Sequence, residues 1–584
     1  MKRLYAILSI LVILSISCST SSIVPTSGPQ KPANAIEISI IYAPESEAYM
    51  KDAMDAFNTS YINGINPVSG KPLAADEKPI WITGESGSSG TIEQGIINAI
   101  IAPNNSNVAK PTIFEPSVSH WLALVNQQTG QQIFDLADSP STALAPVVMA
   151  IWQSRLDAIK KKNGGKPVGW EELMAVMDSP NGWADYGITG DRTTVYYGHT
   201  DPYVSSTALS TLIAEFYSSA RYNAGQTDLR KLDMKTVRDT AVQNGVRKIE
   251  TLVKHYSSRT TEFKEYIAQG PTYLDFVALE ENDLIYINQG KTQYKPPEKL
   301  VALYPKEGTF WHEHPFGIPN APWVTAAQRS AAKVFTDYIR SETVQRKVLE
   351  NGFRPVNPKV PIGYPITAEL GVDPDQPATV LTVPDPDVIA AVQTSWQYVK
   401  KQGDILMLID TSGSMEGDKI DQARQAATQF MEKMSAKNRI GLMTFSDTPQ
   451  MQDELGLAED VKAQIDQHIA AMNVNGSTAL YDALIASIDK LQALETPEGE
   501  DRIRAIVLLS DGDDTASTAS LNDVLAKISA ARTGRNPILV IPVAYGGDAD
   551  ISALNSIAQA SATKVQSGDP KDIQKLLEII SSYF

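Results

Sequence analysis

Four apolar runs dominate the last third of the chain: DILMLID (404–410), RIGLMTFS (439–446), RAIVLLSDG (504–512) and NPILVIPVAYG (536–546), with a weaker TKVQSG (563–568) after them. Each is too short for a typical helix and too continuously apolar for a strand with one wet face, so the sheet they form needs cover on both sides. The intervening segments supply that cover. In KIDQARQAATQFMEKM, residues Ile420, Ala423, Ala427, Phe430 and Met434 recur at spacings of three and four, the stripe of a helix packed on a sheet. Residues 402–584 therefore read as a doubly wound, Rossmann-like α/β domain with a parallel sheet.

A second α/β region precedes it, over 36–370. IEISIIYAP (36–44) and PIWITG (79–84) read as strands, and KPTIFEPS (110–117) as a third, shorter one. ESEAYMKDAMDAFNTSY between the first two reads as a helix with Tyr49, Met54 and Phe57 on one face, and ESGSSGTIEQGIINAII as a Gly/Ser loop opening a helix. The alternation predicts a largely parallel sheet here too. Prolines at 358, 361, 365, 374, 377, 384 and 386 remove so many N–H donors that the stretch cannot lie inside a sheet. Residues 371–401 read as a proline-rich connector that ends in a helix striped by Val388, Val392, Trp396 and Val399.

The 584 residues suffice for about three folding units at roughly 100–200 residues each. A net charge of −17 argues against a nucleic-acid ligand, whose binders carry basic faces. From residue 401 onward 27 acids face 16 bases, so the negative charge concentrates in the last domain. The single cysteine, Cys18, excludes an intramolecular disulfide and a thiolate metal cluster. It follows a cationic start (Met1, Lys2, Arg3) and an apolar stretch from Leu4 to Ile16 that is short for a membrane span. Residues 1–18 resemble a bacterial lipoprotein signal peptide, which implies lipidation at Cys18; Ser15 departs from the Leu preferred three places before the cysteine. A plain secretory signal is the other reading, and either one exports the protein, to the surface or the periplasm. Residues 19–35, rich in Ser, Thr and Pro, read as a flexible tether.

Ligands of open parallel sheets gather at the carboxyl ends of the strands. The first apolar run ends in Asp410-Thr-Ser412-Gly-Ser414, another ends in Ser510-Asp511-Gly512, and the loop NVNGSTALYDAL carries Thr478 just before a helix. Two carboxylates with three hydroxyls suit a hard divalent cation; Mg²⁺ takes octahedral oxygen and is satisfied by one or two carboxylates plus water. The set DTSGSM, NGSTALYDAL and LLSDGDD, in that order, resembles the von Willebrand factor type A domain with its metal-ion-dependent adhesion site. The resemblance implies metal coordination by Asp410, Ser412, Ser414, Thr478 and Asp511, with Mg²⁺ (or Mn²⁺ or Ca²⁺) as the ion and a protein partner's acidic residue completing the shell. Other chemistries lack their parts. A serine nucleophile would need Gly-x-Ser-x-Gly and a histidine, and no second Asp-Thr-Gly-like copy of an aspartic protease is present.

In the front region, hydroxyls and free N–H groups at the start of the helix after GESGSSG form a candidate polar or anion site, with simple N-capping as the alternative. The ordered segments KPTIFEPSVSHWLAL, SPSTALAPVVMAIW, YGHTDPYVSSTALSTL, LVALYPKEGTFWHEHPFGI and FTDYIRSETVQRKVLENGFRPV resemble an extracellular solute-binding domain of the type II periplasmic binding protein class. The resemblance implies two lobes closing on a small solute, with Ser88, Ser89, Ser117, Ser141, Thr142, Thr200, Ser205 and Ser206 as cleft candidates. His312 and His314, on one strand face, are a zinc candidate without a third ligand, and Glu280-Glu281 reads as a solvated strand end, with a functional carboxylate pair as the alternative. The whole chain resembles a bacterial architecture that fuses these two domains behind a lipoprotein signal. The expected function is binding rather than catalysis: metal-dependent recruitment of a protein partner at a membrane surface. The alternative is the solute receptor of an ABC-type transporter with an accessory carboxyl-terminal domain.

Overall fold

A computed structural model describes residues 31–103, 108–190, 193–254, 256–257, 260–495, 502–511, 513–532, 537–544, 551–561, 563 and 565–567. The expected leader, Cys18 and most of the expected tether lie outside the described residues, as does Gly512. Among the described residues no helix is long and apolar enough to cross a membrane.

The front region contains two sheets. The first is three-stranded and parallel, with order β2-β1-β3: β1 (Ile36–Tyr42), β2 (Ile80–Ser86) and β3 (Ile113–Glu115). The helix Glu47–Ile62 buries Tyr49, Met54 and Phe57 against it. The helix Ala326–Ile339 returns to the same layer, and Phe335 meets Phe57 edge-on with ring centroids 5.0 Å apart. The second sheet is built on β4 (Ala145–Trp152), flanked by β6 (Phe276–Glu280) and β7 (Leu300–Leu303), with β5 (Tyr197–Gly198) beyond β6; β8 (Trp311–His312) also pairs with β4. Every pairing of β4 is antiparallel, and β5–β6 is parallel. The expectation of a largely parallel sheet thus holds for the first lobe only. The β4 run APVVMAIW is buried at every position, and a continuous apolar run does not encode the direction of its neighbours.

The carboxyl-terminal domain is a six-stranded sheet in the order β11-β10-β9-β12-β13-β14: β9 (Gly403–Asp410), β10 (Arg439–Phe445), β11 (Pro449–Leu457), β12 (Ile503–Ser510), β13 (Ile538–Ala544) and β14 (Gln566–Ser567). All neighbours are parallel except the hairpin β10–β11. The antiparallel edge strand β11 (PQMQDELGL) alternates polar residues and escapes the apolar-run reading. Helices cover both faces, and Ile420, Ala423, Ala427 and Phe430 are buried as the stripe predicts. The chain leaves β9 toward β10 on one side and returns to β12 on the other, so the switch point lies where β9 and β12 end. At the opposite end of β9 the buried Asp404 is held by Arg439, at 2.6 and 2.7 Å, and by Arg502 at 2.6 Å.

The connector is strapped to the front region. Val380 pairs with Thr309, and Arg354 donates to the carbonyls of Asp373 and Pro374. The helix Pro386–Val399 buries Val388, Val392, Trp396 and Val399 and packs on the front-region helices His120–Thr129, Ser206–Tyr222 and Thr240–Glu250. Its last turn leads directly into β9, with the Lys401 N–H donating to the Tyr256 hydroxyl at 2.9 Å.

Candidate functional site

β9 runs out at Asp410, and the chain then turns through a short 3-10 segment, Gly413–Met415. Asp410 is fully buried and accepts from the Ser412 N–H at 2.9 Å and the Ser510 hydroxyl at 2.7 Å. Burial pushes the Asp410 carboxyl above its usual range; the two serines pull it back, and the nearby Asp511 adds to the rise. The loop bearing Thr478 is pinned to this turn, since Gly413 N–H donates to the Gly476 carbonyl at 3.0 Å and Asn475 N–H to the Thr411 carbonyl at 2.9 Å. Gly476 has φ 74° and packs on Asp447, where a Cβ would come within 2.6 Å of the carboxylate, so a glycine is required there. The loop after β12 closes the third side: Thr478 N–H donates to the Thr515 hydroxyl at 2.9 Å, and Thr515 N–H to the Thr478 carbonyl at 2.8 Å. The three segments singled out from sequence therefore meet at the switch point, with Asp410, Ser412, Thr478 and Asp511 all buried there.

Two features fit a small hard cation. The Ser412 and Ser414 hydroxyl oxygens lie 3.0 Å apart, close to the edge of about 2.9 Å expected for an octahedron with metal–oxygen distances near 2.0–2.1 Å. Asp511 keeps one carboxylate oxygen, Oδ1, buried without a hydrogen-bond partner, a costly state unless a cation or donor meets it. Its other oxygen pairs with Lys419 Nζ at 3.1 Å. Ser510, named from sequence only as part of the strand end, and Lys419, Asp447 and Thr515, not singled out there, complete the setting. Ser510 directly precedes the Asp-Gly, and Lys419 lies in the first turn of the helix that follows the serines, so adjacency to the motif was the available signal.

The front-region candidates divide. Ser88, Ser89, Ser205 and Ser206 line one cavity between the lobes with Glu45, Thr260 and Thr261, and its volume is about 20 Å³. Ser117 adjoins it, its N–H donating to Ser89 Oγ at 3.4 Å and its hydroxyl to Glu45 at 3.3 Å. Thr200 reaches Thr260 at 3.5 Å. Ser141 and Thr142 stand apart on the segment entering β4, where the Thr142 hydroxyl donates to the His314 carbonyl at 2.7 Å. The cavity has room for only about one water molecule because the lobes are drawn together: Ser206 Oγ donates to Ser89 Oγ at 3.0 Å, and Gly90 N–H donates to the Val204 carbonyl at 3.0 Å. The helix start that looked available to an anion is thus capped by the other lobe. Gly90 makes the approach possible, since a Cβ there would stand 1.9 Å from the Tyr203 carbonyl oxygen. Gly90→Ala is expected to force the lobes apart and to increase hydrogen exchange over 86–92 and 200–207; unchanged protection in both segments would contradict the closed contact.

Behind the cavity lies a buried charge network. His312 bonds Glu280 at 2.7 Å and Ser210 at 3.0 Å; His314 bonds Glu115 at 2.9 Å and the second oxygen of Glu280 at 3.2 Å. Burial alone would lower the His314 pKa, but Glu280 and Glu115 outweigh it and hold it well above the usual histidine range. These contacts occupy the nitrogens a zinc ion would need. Glu280 and Glu281 are fully buried rather than a solvated strand end, and Glu281 accepts both arms of Arg354 at 2.8 Å. Glu45, at the cavity wall, is pushed up to about 8 by burial and by the charges of Glu280 and Asp283.

Comparison with known proteins finds a family match for each of the two regions. Residues 404–578 match the family model of the von Willebrand factor type A domain, and residues 126–372 that of the bacterial extracellular solute-binding protein. Among curated proteins, inter-alpha-trypsin inhibitor heavy chain H4 of Sus scrofa is 27% identical over 169 residues, covering 28% of this chain and 18% of that protein. A putative VWFA domain-containing protein, ORF892 of Acidianus two-tailed virus, is 35% identical over 118 residues, covering 20% of this chain and 13% of its own length. The chain therefore spans under a fifth of either relative. Among solved structures, the sulfate-binding protein SubI from Mycobacterium tuberculosis H37Rv aligns over 61% of this chain and 98% of its own, with 17% identity and a TM-score of 0.39. The chain joins a region of the bacterial extracellular solute-binding protein family to a carboxyl-terminal von Willebrand factor type A domain.

Proposed function

We propose that the protein is an extracytoplasmic binding protein, anchored by a lipid on Cys18, whose carboxyl-terminal domain uses a divalent ion to recruit a protein partner. Asp410, Ser412, Ser414, Thr478 and Asp511 would hold the ion. The ion would supply a positive centre, with Mg²⁺ the best match to an all-oxygen set. The observation that carries this reading is the pair of serine hydroxyls 3.0 Å apart in the turn after β9, together with the unpartnered buried oxygen of Asp511 directly after the neighbouring strand β12. The chain's own contribution is orientation: Ser510 and the Ser412 N–H fix the Asp410 carboxylate, and the Gly413–Gly476 bond holds the Thr478 loop against the serines. Lys419 offers a cation to Asp511 and would compete with the ion for it. Titration of the full chain with Mg²⁺ and Mn²⁺ after chelation is expected to show one saturable site in the carboxyl-terminal domain, lost on Ser414→Ala. Equal binding by Ser414→Ala and the parent would refute the assignment.

The solute-receptor reading draws on the hydroxyls of Ser88, Ser89, Ser205 and Ser206 gathered between the lobes. A solute would enter only with the Ser89–Ser206 contact open. A melting-temperature screen of oxyanions, sugars and amino acids tests it, because a ligand of the native state stabilises by mass action. A clear rise with one class favours the receptor; a flat screen favours a front domain serving as scaffold.

A further inference from the structure

The loop after β5, the middle of the helix Ser206–Tyr222 and the end of the helix Thr240–Glu250 bring His199, Glu215 and Glu250 together in the interior of the second lobe. One ligand atom from each lies within 4.8 Å of the others. All three are buried, His199 at 2% exposure and both glutamates at 0%. Both ring nitrogens of His199 lack a hydrogen-bond partner, as do Glu215 Oε2 and Glu250 Oε1. The remaining carboxylate oxygens are oriented by tyrosines: the Tyr197 hydroxyl donates to Glu215 Oε1 at 3.1 Å and the Tyr256 hydroxyl to Glu250 Oε2 at 2.5 Å. Among the described residues no ion pair reaches either glutamate; Lys400, which lies over the Trp396 ring, feels the charge of Glu250.

Two buried carboxylates and a bare imidazole facing one another are expensive when left as they are. A divalent cation removes the cost, since two carboxylates neutralise it and a neutral imidazole supplies a nitrogen. The tyrosine hydroxyls then act as the outer hydrogen bonds that aim metal-ligating carboxylates. We propose that His199, Glu215 and Glu250 form a structural site for a first-row transition metal, with Zn²⁺ or Mn²⁺ as the class matched by one nitrogen and two carboxylate ligands. The choice follows from the donors: imidazole suits Zn²⁺ and its neighbours, and carboxylate is shared with Mn²⁺. The site is independent of the ion site at Asp410. It also has a structural consequence. Glu250 holds Tyr256, and Tyr256 accepts from the Lys401 N–H where the chain enters β9, so metal here would brace the junction of the two domains.

Because the cluster is buried, loading is expected during folding. The full chain carrying Asp410→Ala, which removes the other candidate ion site, is unfolded in denaturant and refolded with Zn²⁺, with Mn²⁺ or with chelator. After gel filtration, metal analysis is expected to find one equivalent of Zn²⁺ or Mn²⁺ per chain, and the loaded form to melt several degrees above the chelator form. Glu215→Gln, nearly isosteric and still able to accept from Tyr197, is expected to lose the metal and the melting difference together. Absence of stoichiometric metal in the Asp410→Ala chain overturns the proposal without reference to any variant of the cluster. Retention of metal in a folded Glu215→Gln chain overturns it as well.

Discussion

Asp410→Ala is expected to lower the Mg²⁺ affinity of the full chain by about 10–100-fold, in line with what loss of a group orienting the ligands costs at metal sites. Asp410 stands at the centre of the constellation: its two oxygens hold the Ser412 N–H and the Ser510 hydroxyl, and the charge of Asp511 acts on it. Alanine removes a negative charge from the site and also leaves the two buried donors unpaired, which costs stability by about 1–3 kcal/mol for each. A lower melting temperature would therefore accompany the lost binding and blur its meaning. Asp410→Asn separates the two effects. Its amide oxygen can still accept from Ser412 N–H and its NH₂ can donate to Ser510, so the turn is expected to keep its shape while the ion is lost. Calorimetric titration of parent, alanine and asparagine chains makes the comparison; heats in either variant equal to the parent's would remove Asp410 from the ion site.

Arg354→Met is expected to destabilise the front region by about 3–5 kcal/mol, the usual consequence of leaving a buried charge without its partner. Arg354 grips Glu281 with two hydrogen bonds of 2.8 Å and ties down the connector through the carbonyls of Pro374 at 2.8 Å and Asp373 at 3.0 Å. Its removal leaves the fully buried Glu281 with only the Tyr304 hydroxyl among these groups. Urea denaturation of the full chain gives the stability difference. The double variant Arg354→Met, Glu281→Gln is expected to recover part of the loss, because the stranded charge is gone. A loss under about 1 kcal/mol in the single variant would show that the pair behaves as an exposed surface bridge does.

What was legible beforehand follows from how local each signal is. The parallel strands of the carboxyl-terminal domain announce themselves by runs such as ILMLI and IVLL, whose burial on both faces leaves no polar alternation. Asp410, Ser412 and Ser414 fall within one turn, and Asp511 directly follows the adjacent strand, so their convergence needs only the strand order. The edge strand Pro449–Leu457 is polar and pairs by a hairpin, so the same criterion passes over it. In the front region the direction of β4's neighbours, the closure of Ser206 on Ser89 and the burial of Glu280 and Glu281 depend on residues tens to hundreds of positions away. Two adjacent glutamates look solvated until His312, His314 and Arg354 are brought to them by the fold. The trio His199, Glu215 and Glu250 has no common spacing and sits on three separate elements, so nothing in the linear order groups it.

The clamp on Asp404 bears on how the domain takes mechanical load. β9 begins at that clamp, ends at Asp410, and is hydrogen-bonded along its length to β10 on one side and β12 on the other. A pull along β9 from the turn that follows Asp410 would enter the strand at its carboxyl end. Both ladders then resist in shear, all their bonds at once, instead of parting one rung at a time, and the three-point grip of Arg439 and Arg502 anchors the far end of the strand like a knot at the end of a rope.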